Sequence, residues 1–152
     1  MKLRFTCMAL ALLSIGFTLS CSKDEEKTEV EEKVTAADMS KIKSAVEAGT
    51  WSIANYTEAD TDETFNYAGF GFTFNTDGTL GVTDGNTSIS GAWSLTTSDV
   101  DELDFNIFFS SPDIFEVLTD DWEIKTYSNS KIELIDTSDD DSTIDYLTFE
   151  KQ

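Results

Sequence analysis

Residues 70–82 read FGFTFNTDGTLGV. Phe70, Phe72 and Phe74 alternate with Gly71 and Thr73, the period of two that sends every second side chain to one face of a strand. The next stretch, NTDGT, carries an Asp-Gly pair, a turn signal that reverses the chain into a second strand. A half-buried strand, a tight turn and a returning strand make the unit of an antiparallel sheet with one apolar face.

The unit repeats along the chain. Ile89, Gly91, Trp93 and Leu95 alternate with Ser90, Ala92 and Ser94. Leu103, Phe105, Ile107 and Phe109 alternate with Asp104, Asn106 and Phe108. Trp122 and Ile124 flank Glu123, Ile132 and Leu134 flank Glu133, and Leu147 and Phe149 flank Thr148. Further turns fall at TDGN (83–86) and SNS (128–130). The spacing predicts strands near 50–57, 67–75, 79–83, 87–97, 102–109, 121–128, 131–136 and 143–150.

Eight up-and-down strands close most economically into an antiparallel barrel, which leaves no exposed edge. Two packed sheets are the alternative. A barrel of this size is either filled by side chains or holds one small ligand. Trp51, Phe70, Phe72, Phe74, Trp93, Phe105 and Trp122 are the candidate lining or core residues. A largely packed interior is expected, with at most a shallow opening near 110–120. The segment SSPDIFEVLTDD (110–121) reads as one or two helical turns. Ser110 or Ser111 would cap it, Pro112 suits a first helical position, and Ile114, Phe115 and Leu118 supply an apolar face.

Upstream, TAADMSKIKSAVEAGTW (35–51) has helical logic. Thr35 is a cap, Asp38 sits in the first turn, and Gly49 is a left-handed stop. Met39, Ile42 and Val46 share one face, which packs on the chain downstream of the helix.

The composition is globular, with 39% hydrophobic and 12% aromatic residues in 152. The formal net charge is −20, and Lys2 and Arg4 both precede Cys21, so the remainder is more acidic still. Such a field repels nucleic acid and disfavours docking on anionic membrane surfaces. It is first of all a solvated, aggregation-resistant surface. There is no histidine and only two cysteines, Cys7 and Cys21. Ser-His-Asp and Cys-His arrangements are therefore impossible, and a zinc site lacks partners. No phosphate-binding or dinucleotide fingerprint occurs. No enzymatic activity and no cofactor are expected. The acidic stretch DTSDDDSTID (136–145) offers Asp136, Asp139, Asp140, Asp141 and Asp145 as weak candidate ligands for a hard cation such as calcium. It lacks the glycine and spacing of an EF-hand loop.

Residues 1–20 read MKLRFTCMALALLSIGFTLS. Lys2 and Arg4 form a positive start and residues 5–17 an apolar stretch of signal-peptide length, too short for a comfortable membrane span. The small Ser20 lies directly before Cys21. Here the chain resembles bacterial lipoproteins, whose cysteine after a small residue is acylated and becomes the mature N-terminus. Thr18 and Leu19 depart from the commonest form of that motif. The residues after Cys21, with Lys23, Asp24 and Glu25, are similar to the surface-export signal of Bacteroidota lipoproteins. The resemblance implies a protein anchored by acyl chains on Cys21 in the outer membrane and exposed at the cell surface. A conventional secretory signal with an incidental cysteine is the alternative. The expected organisation is a signal peptide (1–20), a disordered acidic tether (21–35) and a barrel domain with its N-terminal helix (36–152).

A second resemblance spans roughly 49–152. Gly49-Thr50-Trp51 opens the first strand as the Gly-x-Trp motif opens lipocalins, and a similar Gly91-Ala92-Trp93 recurs. Together with FNTDGTL and the closing YLTFEK, the order resembles lipocalin-like lipoproteins of Bacteroidota. In lipocalins a cationic residue packs on the first-strand Trp. No arginine follows Arg4 here, and Lys151 is the candidate replacement. The resemblance implies a lipocalin-like barrel, and the export-like signal, the tether and the polar exterior point to its use in surface interaction or accessory binding. The alternatives are a carrier or sensor of a small apolar ligand inside the barrel, and a calcium-binding surface module.

Overall fold

A computed structural model of the chain describes residues 33–97, 102–137 and 143–152. A 3-10 turn, Ala36–Asp38, leads into helix α1 (Met39–Val46). The strands follow as β1 (Trp51–Glu58), the two-residue β2 (Thr61–Asp62), β3 (Gly71–Phe74), β4 (Thr79–Thr83) and β5 (Ser88–Thr96), then β6 (Asp104–Phe108). A short helix α2 (Asp113–Glu116) precedes β7 (Asp120–Tyr127), β8 (Lys131–Thr137) and β9 (Ile144–Lys151). Each strand from β3 to β9 pairs antiparallel with the next, and β9 pairs back on β1 along Trp51↔Lys151 to Thr57↔Tyr146. The result is a closed eight-stranded antiparallel barrel, with β2 as a hairpin extension of β1 outside the ring.

The apolar alternation sets the inside. Leu80 and Val82 of β4, Phe105 and Ile107 of β6, Trp122 and Ile124 of β7, Ile132 and Leu134 of β8, and Leu147 and Phe149 of β9 are all buried. Their neighbours Thr79, Thr83, Ser88, Ser90 and Ser94 face out. A barrel that is apolar inside and polar outside is the inverse of one built to face lipid.

The helix forms much as its sequence predicts. The Asp38 amide donates to the Thr35 carbonyl at 2.9 Å, and the Asp38 carboxylate takes the Thr35 amide at 3.3 Å. Gly49 adopts φ +101°, the left-handed geometry that ends the helix and delivers Trp51 to the sheet. Ile42 and Val46 are fully buried and Met39 packs against the core at the edge.

Three expectations need correction. The strand expected near 67–75 begins only at Gly71, because Thr64–Tyr67 winds into a 3-10 turn that buries Tyr67. In consequence β1 and β3 share one register pair, Trp51↔Phe72. Before α2, neither Ser110 nor Ser111 caps. Extended Pro112 holds the N-cap position, and its carbonyl accepts from the Phe115 and Glu116 amides at 2.8 and 3.1 Å. Of the apolar face expected there, Phe115 and Leu118 are buried but Ile114 is exposed.

Gly91 explains the second Gly-x-Trp. A Cβ there would lie 2.5 Å from the Phe108 carbonyl oxygen and 2.6 Å from the Phe109 ring. Gly91→Ala is expected to destabilise the barrel by about 1–3 kcal/mol, through overpacking of backbone that cannot yield. Gly81→Ala on β4, whose nearest neighbour would be 3.9 Å away, should stay within about 0.5 kcal/mol of wild type. Urea unfolding of the two variants checks the contrast.

Candidate functional site

The residues expected to line or fill the barrel do come together, and they fill it. Trp51, Phe72, Phe74, Trp93, Phe105 and Trp122 are buried, and Phe70 packs against them partly exposed. Phe74 stands edge-on to Trp93, Phe105 and Phe149 with ring centroids 5.4 Å apart in each pair. Phe149 contacts Phe72, Phe72 contacts Phe115, and Phe115 contacts Tyr67, Phe70 and Phe109. Tyr67 in turn meets Tyr56, which meets Trp122. The aromatic chain therefore runs through the barrel from the α1 end to the α2 end. Among the described residues no charged side chain is buried, so the core offers none of the placed charge that orients a bound ligand or a reacting group.

The polar tips of these rings point at the segments that close the two ends. A helix leaves its last carbonyls without intrahelical partners. At one end the Trp51 indole donates to the Val46 carbonyl at 2.9 Å, and Lys151 Nζ donates to the Ala45 carbonyl at 3.2 Å. Lys151 Nζ also lies 4.7 Å from the centre of the Trp51 ring, the place that the lipocalin resemblance reserves for a cation. At the other end Tyr67 donates to the Ile114 carbonyl at 2.8 Å, Trp122 to Leu118 at 3.1 Å and Tyr56 to Val117 at 3.3 Å. Burial pushes both phenols well above their usual pKa, so they remain donors at any physiological pH.

Where strand pairing lapses at that end, threonine hydroxyls stand in. Thr64 accepts the Tyr56 amide at 2.8 Å and donates to its carbonyl at 3.3 Å. Thr119 does the same for Phe109 at 2.8 and 3.2 Å.

Tyr56 and Tyr67 were not among the residues expected inside. A β-bulge explains Tyr56: the β1–β9 register shifts between Ile53 and Asn55, so the inward positions run 51, 53, 56 and the period of two breaks. Lys151→Met is expected to cost about 1–2 kcal/mol, through loss of the carbonyl bond and the contact with Trp51. Tyr67→Phe should cost about 1 kcal/mol. Denaturant unfolding with far-UV circular dichroism checks that stability falls while the barrel signal is kept.

The acidic residues lie on the outside. Asp136 and Asp145 face each other across β8 and β9, and Asp145 Oδ1 accepts the Ala59 amide at 2.8 Å. Asp139, Asp140 and Asp141 lie outside the described residues, as do Cys21, Lys23, Asp24 and Glu25. Among the described residues no group of three His, Cys, Asp or Glu side chains is gathered to hold a metal. Partial burial of the Asp120 carboxyl, with Asp136 and Asp121 adding like charge, raises its pKa.

A carboxyl raised in the folded state favours folding in its protonated form. That contribution is complete below the unfolded pKa and is lost as pH rises through the folded one. Asp120→Asn keeps an oxygen for the Asp121 amide, which the wild-type carboxylate holds at 2.8 Å. It should raise the melting temperature at pH 7 by about 1–2 °C, a gain that disappears below about pH 3. Thermal melts at the two pH values check the sign.

The lysines are as unevenly placed as the acids. No Lys or Arg occurs between Lys43 and Lys125. The described lysines belong to α1 and its approach, to the ends of β7 and β9 nearest α1, and to the start of β8. The opposite end carries Asp60, Asp62, Glu63, Asp84, Asp113 and Glu116, together with exposed Phe65 (73%), Ile114 and Val117. A groove of about 620 Å³ lies on the outer face of β1, β7, β8 and β9. Ile135, Ile144 and Tyr146 supply its apolar surface, and Asn55, Lys125 and Glu133 its polar walls. This is not the opening expected near 110–120, where α2 is tied down over the barrel end.

No family model matches the chain, and no curated protein matches it. Among solved structures the chain is similar to a DUF4847 family protein from Bacteroides vulgatus ATCC 8482. The two are 16% identical with a TM-score of 0.47, over 73% of this chain and 97% of that one.

Proposed function

We propose that this chain is a lipid-anchored protein of the cell envelope that acts through the outer surface of its barrel and catalyses no reaction. The observation that carries the reading is the filled interior with both ends tied shut, which moves any recognition to the outside. In this reading residues 1–20 are removed as a signal peptide. Acyl chains on Cys21 enter the outer membrane, and Lys23, Asp24 and Glu25 direct the protein to the cell surface. Residues 21–35 are the tether. Each buried methylene contributes about 0.8 kcal/mol, so one chain is marginal and two or three give stable anchoring.

The polar exterior of the barrel supports recognition at its outer surface. The non-enzymatic reading rests on a chain without histidine and on described carboxylates that line turns and strand exteriors.

Expression in a lipoprotein-processing bacterium, followed by fractionation, tests the anchor. Wild type should partition with membranes and yield an acylated N-terminal peptide by mass spectrometry. Cys21→Ala should appear in the soluble fraction with an unchanged melting curve. Retention of Cys21→Ala in the membrane fraction would overturn the proposal.

A further inference from the structure

The outer groove has features of a built site. It is walled by two β-bulges. The β1–β9 register skips Ala54, and the β7–β8 register skips Lys125 between Ile124 and Thr126. Both extra residues line the groove. A bulge bends its strand and re-aims a side chain, and here the two bends flank one concavity. Ala54 leaves the β1 wall low, and Lys125 stands at the β7 wall.

The surface between them is more apolar than the outer faces of β4 and β5. Where β4 and β5 face water with Thr and Ser, this face carries Ile135, Ile144 and Tyr146, the last two 38% and 43% exposed. The volume, about 620 Å³, falls in the range that holds a small molecule.

Its charges are arranged asymmetrically. Lys131 is paired with Glu133, and Glu133 also accepts the Thr126 hydroxyl at 2.6 Å. Glu150 sits opposite Lys131 across β8 and β9. Lys125 makes no hydrogen bond or ion pair among the described residues, so it alone of the groove's two lysines is available to a ligand. The net charge of −20 works against an anion at long range. At physiological ionic strength that field is screened beyond about 8 Å, whereas a contact with Lys125 is not.

From this geometry we infer that the groove binds an amphipathic anion, with an apolar body laid over Ile135, Ile144 and Tyr146 and a single negative headgroup at Lys125. The inference rests on the reading that recognition occurs on the barrel's exterior, and it names the ligand class for that surface.

Decanoate and decanol, alike in body and different in charge, are the probes. Each is titrated below its aggregation or solubility limit into the full chain carrying Cys21→Ala, which avoids acyl chains and detergent, with amide and methyl NMR shifts as the readout. Decanoate is expected to bind saturably, with shifts concentrated at Ile135, Ile144 and Tyr146, and decanol more weakly at the same place. Lys125→Gln should weaken decanoate about tenfold, about 1.4 kcal/mol, and leave decanol unchanged. Ala54→Trp should abolish both, and neither substitution should move the melting temperature. Non-saturable or scattered shifts would sink the site. An equal response of both probes to Lys125→Gln, or no response of either, would sink the assignment of an anion. Neither result bears on the membrane anchor, which stands or falls on fractionation of Cys21→Ala.

Discussion

Trp51 stands where the sheet closes on itself, and four separate constraints meet at its side chain and backbone. It pairs with Lys151 of β9 and with Phe72 of β3, and the second pairing is the one bridge between β1 and β3. Its indole N–H holds the last turn of α1, and its ring lies under the Lys151 ammonium. A barrel has no edges only if its first strand is held on both sides. The β1–β3 side is thin because residues 59–70 are spent on closing the far end. The helix, the cation and the indole together tie α1 to β1 and β9 at this end of the barrel.

The same device recurs at the other end with different residues. Tyr56, Tyr67 and Trp122 are amphipathic: their rings join the apolar core, and their single polar atoms each reach a carbonyl in or just after α2. An aromatic core made only of Phe would fill the volume but would not satisfy those carbonyls. Buried polar groups without partners are costly, so the ends stay shut as long as the core stays packed. Closing the ends and filling the middle are one energetic event.

That outer surface is not uniform. Lysines gather around α1, and aspartates in and beside the turns, Asp62, Asp77 and Asp84, are stabilised as anions by neighbouring threonine hydroxyls or backbone amides. Hydrogen bonds to the charged form hold these carboxyls below their usual pKa, so they keep their charge into mild acid. The groove between the two bulges combines Ile135, Ile144 and Tyr146 with charged walls, where the outer faces of β4 and β5 carry mainly Thr and Ser.

Local sequence determined most of the strands and their inward faces, whereas closure into a barrel rather than two packed sheets rests on the pairing of β9 with β1. Alternation with period two is a property of neighbouring residues, and Asp-Gly turns act within four of them. Phe72, Phe74, Trp93, Phe105 and Trp122 were legible as core for that reason, and α1 was legible from its 3.6-residue spacing and Gly49. The sequence also marked Lys151 as a partner for Trp51, through resemblance rather than pattern. Only the tertiary structure decided where the period breaks. The bulges at Ala54 and Lys125 follow from matching curved strands across the barrel, and they bring Tyr56 inside and shape the outer groove. The closing turn that buries Tyr67 depends on an Ile114 carbonyl 47 residues away, a distance at which no local pattern carries information.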